Sequence, residues 1–364
     1  MKSYDITIIG AGITGAGIAD LFSTKGYKCI VLEQFSHPAC GTSSKSSKLI
    51  HGGLRYLENF EFALVKESLK ERAYLVKYLP QIVQLKSFYL PLYTHSKRKP
   101  WMVFLGLSIY TLFSWKKFSS VLKNEWHRLD IETKDLLKVY KYKDGVTDDK
   151  PLTTHVLEQC ACSLMFDARV EKIEDFKTHC IVSYEKDGMT QQVTSKVVIN
   201  AAGPWVNEVL NSCTQKPDTL SIDLVLGSHI LVDTKVDRIY YIEARDKRAI
   251  FVRPYHDGTL IGTTEVHFNS SLQHIDVPPS DILYLIDNFN HYFKTKITLE
   301  NVINSFAGLR VLPEDDKSAF KKSREVKIWN DPVNAPNVYS IYGGKLTSFR
   351  ATARKVYKKI KSKL

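Results

Sequence analysis

No stretch of this 364-residue chain stays apolar for the roughly twenty residues that a membrane-spanning helix needs. The most apolar segment, Trp101 to Trp115, is about fifteen residues long and contains Ser and Thr. Cysteine is sparse: Cys29, Cys40, Cys160, Cys162, Cys180 and Cys213 form no CxxC pair and lack the dense spacing of a disulfide framework. A reduced, cytoplasmic setting fits that usage, and no metal site is expected. The opening residues Met1 to Asp5 run straight into a strand, without the basic, apolar and cleavage regions of a signal peptide. Repeats and low-complexity linkers are missing. Zinc-finger spacing, an RNP signature and aromatic-plus-basic repeats are missing too, which argues against a nucleic-acid partner.

What is present describes an ordinary globular protein, 44% apolar and 25% charged. Its length predicts two consecutive or interleaved domains and room for a large cofactor. The net charge of +12 calls for an anionic partner, either a phosphorylated substrate or an acidic membrane surface.

From Tyr4 the pattern predicts a strand over Ile6 to Ile9, a glycine turn, a helix over about Thr14 to Lys25 capped by Gly26, and a strand over Cys29 to Leu32. An amphipathic helix is predicted over Glu61 to Leu79, followed by a more irregular region to about Asp149. A helix over Thr153 to Ser163 leads into a meander near Phe166 to Val170, Cys180 to Tyr184 and Val193 to Asn200. Leu220 to Phe268 reads as β-rich, and a helix is expected over about Pro279 to Phe293. A strand over Val338 to Tyr342, Gly343-Gly344 and a helix running to the C-terminus close the chain.

Gly10-Ala11-Gly12-Ile13-Thr14-Gly15 follows an apolar strand and opens a helix, and Glu33 lies eighteen residues beyond Gly15 at the end of the next strand. Gly10 permits the tight turn, Gly12 lets backbone approach a pyrophosphate, Gly15 lets helix and strand pack closely, and Glu33 can accept from a ribose hydroxyl. The helix N-terminus offers free N–H groups and its dipole to the phosphates. This unit binds a dinucleotide but does not separate NAD from FAD.

Two further features favour FAD. Val197 to Gly203 is another strand ending in a small-residue turn. Gly343-Gly344 opens a helix whose N-terminus would stabilise negative charge near N1 and O2 of a reduced isoalloxazine, and Lys345 in its first turn opposes the dipole and so hints at an anion.

Thr42-Ser43-Ser44-Lys45-Ser46-Ser47-Lys48-Leu49-Ile50-His51-Gly52-Gly53-Leu54-Arg55-Tyr56-Leu57-Glu58 resembles the segment after the first βαβ unit of the flavin-linked glycerol-3-phosphate dehydrogenases. Ala202-Gly203-Pro204-Trp205-Val206, Gly227-Ser228-His229, Gly262-Thr263-Thr264-Glu265, Gly308-Leu309-Arg310 and Gly343 to Arg350 extend the resemblance in family order over nearly the whole chain. The resemblance implies a mixed α/β (α+β) fold in which a glutathione-reductase-type, Rossmann-like FAD domain interleaves with a β-rich substrate or cap domain. The expected division is 1–84, 140–212 and 335–364 for FAD, and 85–139 and 213–334 for substrate.

The implied activity is oxidation of sn-glycerol 3-phosphate to dihydroxyacetone phosphate by noncovalent FAD, with electrons leaving to a quinone. Arg55, Tyr56, Thr264, Arg310 and Lys345 would face substrate, with Arg324 a further phosphate-side residue. The small residues Thr42, Ser43, Ser44, Ser46 and Ser47, together with Leu49, His51 and Gly52, would line the cofactor. So would Ile13, Thr14, Ala202, Gly203, Trp205, Gly308, Gly344, Lys345, Leu346 and Thr347.

The chemistry of the residues agrees in kind, because guanidinium forks and an ammonium suit a phosphate. His51 or Lys345 can take the C2 hydroxyl proton, and Arg310 belongs to the same catalytic set. The resemblance stops before the helical C-terminal domain with which the family continues; fourteen residues follow Arg350. Lys150-Pro151 stands where the family commonly has a small residue and Arg, Glu265 where Asp is usual, and Val311 where Pro is usual. An oxidase or dehydrogenase of an amine, amino acid or hydroxy acid, and a flavin-binding module without turnover, are the competing readings.

The C-terminal segment Ala353 to Leu364 places Val356, Ile360 and Leu364 on one helical stripe with lysines on the other faces. Together with Trp101 to Trp115 it suggests weak, salt-sensitive attachment to the inner face of an anionic cytoplasmic membrane.

Overall fold

A computed structural model describes residues 1–313 and 326–364. Two sheets organise it. The first has eight strands, and its path runs Lys327–Trp329, Val338–Tyr342, Met189–Asn200, Lys2–Ile9, Cys29–Leu32, Ser163–Met165. The four pairings from Val338–Tyr342 to Ser163–Met165 are parallel, and the helix Ile13–Thr24 crosses between Lys2–Ile9 and Cys29–Leu32. Both faces of these central strands are covered, so they read as near-continuous apolar runs: Ile6, Ile8, Val197, Ile199, Cys29 and Val31 sit in one core cluster, and Ile9, Ile30, Leu32 and Val198 in another. Arg169–Asp175 and Cys180–Lys186 extend Met189–Asn200 as an antiparallel meander.

The second sheet has ten strands. Its largest pairing joins Ile222–Val232 to Val302–Pro313, and Gly258–Gly262, Ala249–Tyr255 and Ile239–Glu243 continue from it to Gln84–Tyr93 and Leu136–Val146. The helix Pro279–Tyr292 covers one side, burying Leu285, Ile286 and Phe289.

Several elements depart from the sequence expectation. The region expected to be irregular holds two long paired strands, Gln84–Tyr93 and Leu136–Val146, with the helix Pro100–Ser114 between them. Pro91 disguises the first strand, yet it pairs there with Val139 on one side only; the neighbour Ile239–Glu243 engages just Phe88 and Tyr89, so no ladder bond is lost. The next helix is Asp149–Glu158, starting four residues early because Pro151 falls in its first turn, where a missing N–H costs nothing. The strand expected at Phe166 to Val170 begins at Arg169 and runs to Asp175.

At the C-terminus, Lys345 is not in a helical turn. Gly343 and Gly344 both have positive φ (80° and 120°), Lys345 is extended, and a short turn, Leu346–Ser348, precedes the helix Phe349–Ile360. That helix packs its apolar stripe into the first sheet's core: Val356 and Ile360 are fully buried, and Leu364 packs against the same cluster. The stripe therefore faces protein and not lipid. The exposed apolar face lies on Pro100–Ser114 instead, where Val103, Leu107 and Tyr110 turn inward while Trp101, Met102, Phe104, Leu105 and Leu112 turn outward, with Trp115 exposed just beyond. Among the described residues no helix is long and apolar enough to cross a membrane.

Candidate active site

Ile9 pairs with Asn200 on one side and Leu32 on the other, so Gly10, Ala201 and Glu33 leave the parallel sheet at one edge. That carboxyl edge is where ligands bind in open α/β sheets. A Cβ at Gly10 would lie 2.7 Å from the Ala201 carbonyl oxygen, and one at Gly15 would lie 2.0 Å from the carbonyl oxygen of Gly10. Both positions need glycine for close backbone approach. The Glu33 carboxylate accepts from Ala11 N–H at 2.6 Å and Phe35 N–H at 3.1 Å. Burial pushes its pKa up, and these amides counter that rise.

A cavity of about 830 Å³ starts beside Glu33, passes Gly10, Gly12 and Thr14, and continues along Thr42, Ser43, Ser46 and Ser47 to Leu49 and His51. Its walls also take Ala202, Gly203, Trp205, Gly308, Gly344, Leu346 and Thr347. Ser43 Oγ accepts from the Ile13 N–H at the helix start, and a Cβ on Gly12 would press on the same oxygen at 3.0 Å. Thr42 Oγ1 donates to Leu309 C=O, which ties the loop to the second sheet. Ser46 donates to Asp149, whose carboxylate is buried and also holds Lys48.

Four expected residues stand behind the wall. Ile13 and Gly15 support the turn, Ser44 donates to Gly41 C=O and Gly52 is buried against Leu69 and Tyr110.

Beyond His51 the two sheets bring a cluster of cations together. Arg55, Tyr56, Arg310 and Lys345 all line the cavity. Arg310 follows from the register of its strand, opposite Val225 and two residues past the Gly308–Gly227 pair. A Cβ on Gly227 would lie 2.6 Å from Thr263 Oγ1 and 3.0 Å from Arg310 Nη2, so this glycine leaves room for both. Arg310 donates from Nη1 to Glu265 Oε1 at 2.9 Å and from Nη2 to Thr263 Oγ1 at 3.1 Å. Arg55 Nη1 lies 3.6 Å from the same Glu265 oxygen, and Lys345 Nζ sits 4.0 Å above the Tyr56 ring.

Thr264 is brought to the neighbourhood but not to the cavity. Its hydroxyl is buried, donating to Asp281 at 2.6 Å and accepting from Ser228 N–H. Arg324 lies outside the described residues.

The cavity also takes residues outside the set expected from sequence, and His229, Thr263 and Glu265 are polar ones at its cationic end. The signal for His229 is present in Gly227-Ser228-His229, which places it on the same strand face as Gly227. It is buried, stacked on Phe306, and has Nε2 2.8 Å from Ser47 Oγ. Burial, then the charges of Arg310 and Lys48, bring its pKa down to about 3. It therefore stays neutral at physiological pH.

A dinucleotide edge, a long cavity and a cationic end define a flavin-dependent oxidoreductase. Residues 5–357 match the FAD dependent oxidoreductase family, and the chain belongs to that family with FAD as its cofactor. It is 33% identical over 373 residues to the D-erythritol 1-phosphate dehydrogenase of Brucella abortus (strain 2308), covering 99% of this chain and 74% of that protein. It is 32% identical over 374 residues to the aerobic glycerol-3-phosphate dehydrogenase of Escherichia coli (strain K12), with the same coverage. Among solved structures, the glycerol-3-phosphate dehydrogenase from Bacillus halodurans complexed with FAD has the same fold, with a TM-score of 0.80 at 24% identity. That superposition covers 99% of this chain and 65% of that one, so the chain spans just under two thirds of that protein.

The residues present fit the cofactor. Glu33 would supply the ribose acceptor at one end of the cavity, Gly10 and Gly12 line it without a Cβ where a pyrophosphate would lie, and Lys345 would provide positive charge at the other end. Acid precipitation of the purified protein is expected to release FAD into the supernatant. Gly12→Val should fold and bind FAD at least about tenfold more weakly, a loss of ~1.4 kcal/mol read by flavin fluorescence titration. Unchanged affinity in that variant would remove the phosphate approach from Gly12.

Proposed function

We propose that this protein oxidises sn-glycerol 3-phosphate to dihydroxyacetone phosphate and passes the electrons to a quinone. What carries this reading is the convergence of Arg55, Arg310 and Lys345 on one end of the flavin cavity. A single arginine suits a carboxylate; several cations on one spot suit a phosphate dianion. Bound FAD supplies the hydride acceptor for C2. Arg55 and Arg310 orient the phosphate through planar forks that Glu265 holds in place, and Tyr56 packs beneath the Lys345 ammonium.

The C2 hydroxyl proton goes to an imidazole nitrogen of His51, with Lys345 a cation beside the phosphate, or to Lys345 Nζ as a neutral amine, with Arg55 and Arg310 alone carrying the charge that faces the phosphate. His229, with a pKa about 3, binds a proton too weakly to serve near neutrality.

The chain divides, on this reading, into a FAD part (1–84, 140–212, 335–364) and a substrate part (85–139, 213–334). The two sheets support the division, although Leu49–Ile50, residues 140–146 of Leu136–Val146, and Lys327–Trp329 each join the sheet of the other part. A four-carbon polyol phosphate is a second substrate reading, supported by the D-erythritol 1-phosphate dehydrogenase relative. Comparing kcat/KM for the two phosphates separates them.

Arg310→Ala is expected to keep FAD while kcat/KM for glycerol 3-phosphate falls about 10- to 150-fold, since a charge-assisted contact contributes ~1.5–3 kcal/mol. Turnover of glycerol should hardly change. Equal losses on both substrates would take the phosphate role away from Arg310.

We also infer peripheral placement on the inner face of the cytoplasmic membrane, supported by the outward side chains of Pro100–Ser114 and the exposed Lys99, Lys116 and Lys117 around them. Basic residues near an anionic leaflet contribute ~1 kcal/mol each. The protein should sediment with anionic liposomes at low salt, partly release at high salt, and lose most binding in Trp101→Ala/Trp115→Ala. Equal binding by that double variant would move the contact elsewhere.

A further inference from the structure

We infer that Tyr110, on the inward face of the exposed apolar helix, is a positioning residue that fixes the His51–Gly52 backbone in the cavity wall. This deepens the reading of His51 as a site residue and rests on it. The geometry is a closed, buried set of polar groups. Gly52 N–H donates to the Tyr110 oxygen at 2.9 Å, and the Tyr110 hydroxyl donates to Asp144 Oδ2 at 2.8 Å. Arg72 Nη1 donates to Asp144 Oδ1 at 2.7 Å and to the Lys143 carbonyl at 3.1 Å, and it lies 3.2 Å from the Tyr110 oxygen. Gly145 N–H completes Asp144 Oδ1 at 3.1 Å. Arg72, Tyr110 and Asp144 are each 2% exposed.

Replacing a buried ion pair by packed apolar groups often costs nothing, so its stability alone gives little reason for it. What it does here is specify one place for a backbone amide. Gly52 has no room to shift: a Cβ there would lie 2.5 Å from the Tyr110 oxygen and 2.3 Å from Leu69 Cδ2. His51, one residue before, lines the flavin cavity, as does Asp144 from the other side of the network. Without the Tyr110 hydroxyl, Gly52 N–H keeps only its longer contact to Asp144 Oδ1 at 3.4 Å and Asp144 loses a donor inside the protein, and the strand end carrying His51 relaxes to recover partners.

Tyr110 also belongs to the helix whose opposite face presents Trp101, Phe104, Leu105 and Leu112 to the outside. Tyr110 therefore ties the Gly52 backbone to the inner face of that helix.

The test uses the full-length, FAD-loaded protein. Tyr110→Phe, which keeps the ring, is expected to lower kcat for glycerol 3-phosphate roughly tenfold to a hundredfold, as small misplacements of reacting groups do. KM should stay within about twofold, because the phosphate contacts are untouched. The His51 imidazole resonances should shift in the substrate-free holoenzyme. Arg72→Lys, which keeps a charge beside Asp144 but loses the fork, should move both readouts in the same direction by less. The Gly52 amide of the wild-type holoenzyme should exchange slowly with solvent.

Unchanged kcat and unchanged His51 resonances in Tyr110→Phe overturn the inference, as does fast exchange at Gly52 or a loss of turnover that only follows loss of bound FAD. If the wild type does not turn over glycerol 3-phosphate, the proposed function fails, and the His51 resonances still decide the role of Tyr110.

Discussion

Ile9 is hydrogen-bonded into register with Leu32 and with Asn200, and this double pairing sets the height at which three chain segments leave the parallel sheet. Gly10, Glu33 and Ala201 follow from it, and so does the cavity that begins among them. The glycines are then dictated by distance, since a side chain at Gly10 or Gly15 would collide with backbone carbonyl oxygens. Asn200 locks the edge further by donating to Val206 C=O and Ser340 Oγ from a fully buried position. Through Ser340 the same edge reaches the strand that ends in Gly343-Gly344, and these two glycines turn Lys345 out of any helix and into the cavity.

The second constraint is charge. Positive groups gathered in a partly buried site repel one another and must be held. Glu265 does this by lying within 2.9 Å of Arg310 and 3.6 Å of Arg55, which leaves a surplus of cation with Lys345. Burial first, and then the same cationic neighbourhood, suppress protonation of His229, whose pKa falls to about 3. Neutral imidazole and fixed guanidinium therefore coexist, and the division of labour between them arises from burial and from proximity.

Much of this was legible in the sequence where local and global signals agree. The first βαβ unit, with its strand Cys29–Leu32 and the glycine turn, reads directly because an apolar run, a helix start and an acid fall at fixed spacing. Val338–Tyr342 reads equally well, as a short apolar strand bounded by a glycine pair. The long pairing of Gln84–Tyr93 with Leu136–Val146 did not, because Pro91 imitates a break and because the partner lies more than forty residues away. Thr264 and Thr263 are adjacent and chemically equal, so only the turn of the backbone decides which one meets the cavity. Glu265 was visible as a departure from the family's usual Asp, but its two arginine partners come from distant segments and no spacing rule joins them. The C-terminal stripe was correctly periodic; periodicity says that an apolar face is covered and not by what, and here protein core covers it.

The central claim is that the cationic end of this cavity presents a phosphorylated alcohol to the flavin. Anaerobic mixing of the oxidised, FAD-loaded protein with sn-glycerol 3-phosphate, followed by flavin absorbance near 450 nm in a stopped-flow instrument, tests it most directly. The account predicts rapid bleaching to the reduced flavin with the phosphorylated substrate and none with glycine or proline at the same concentration. A flavin that stays oxidised with glycerol 3-phosphate, or that is bleached by an amino acid instead, would contradict it.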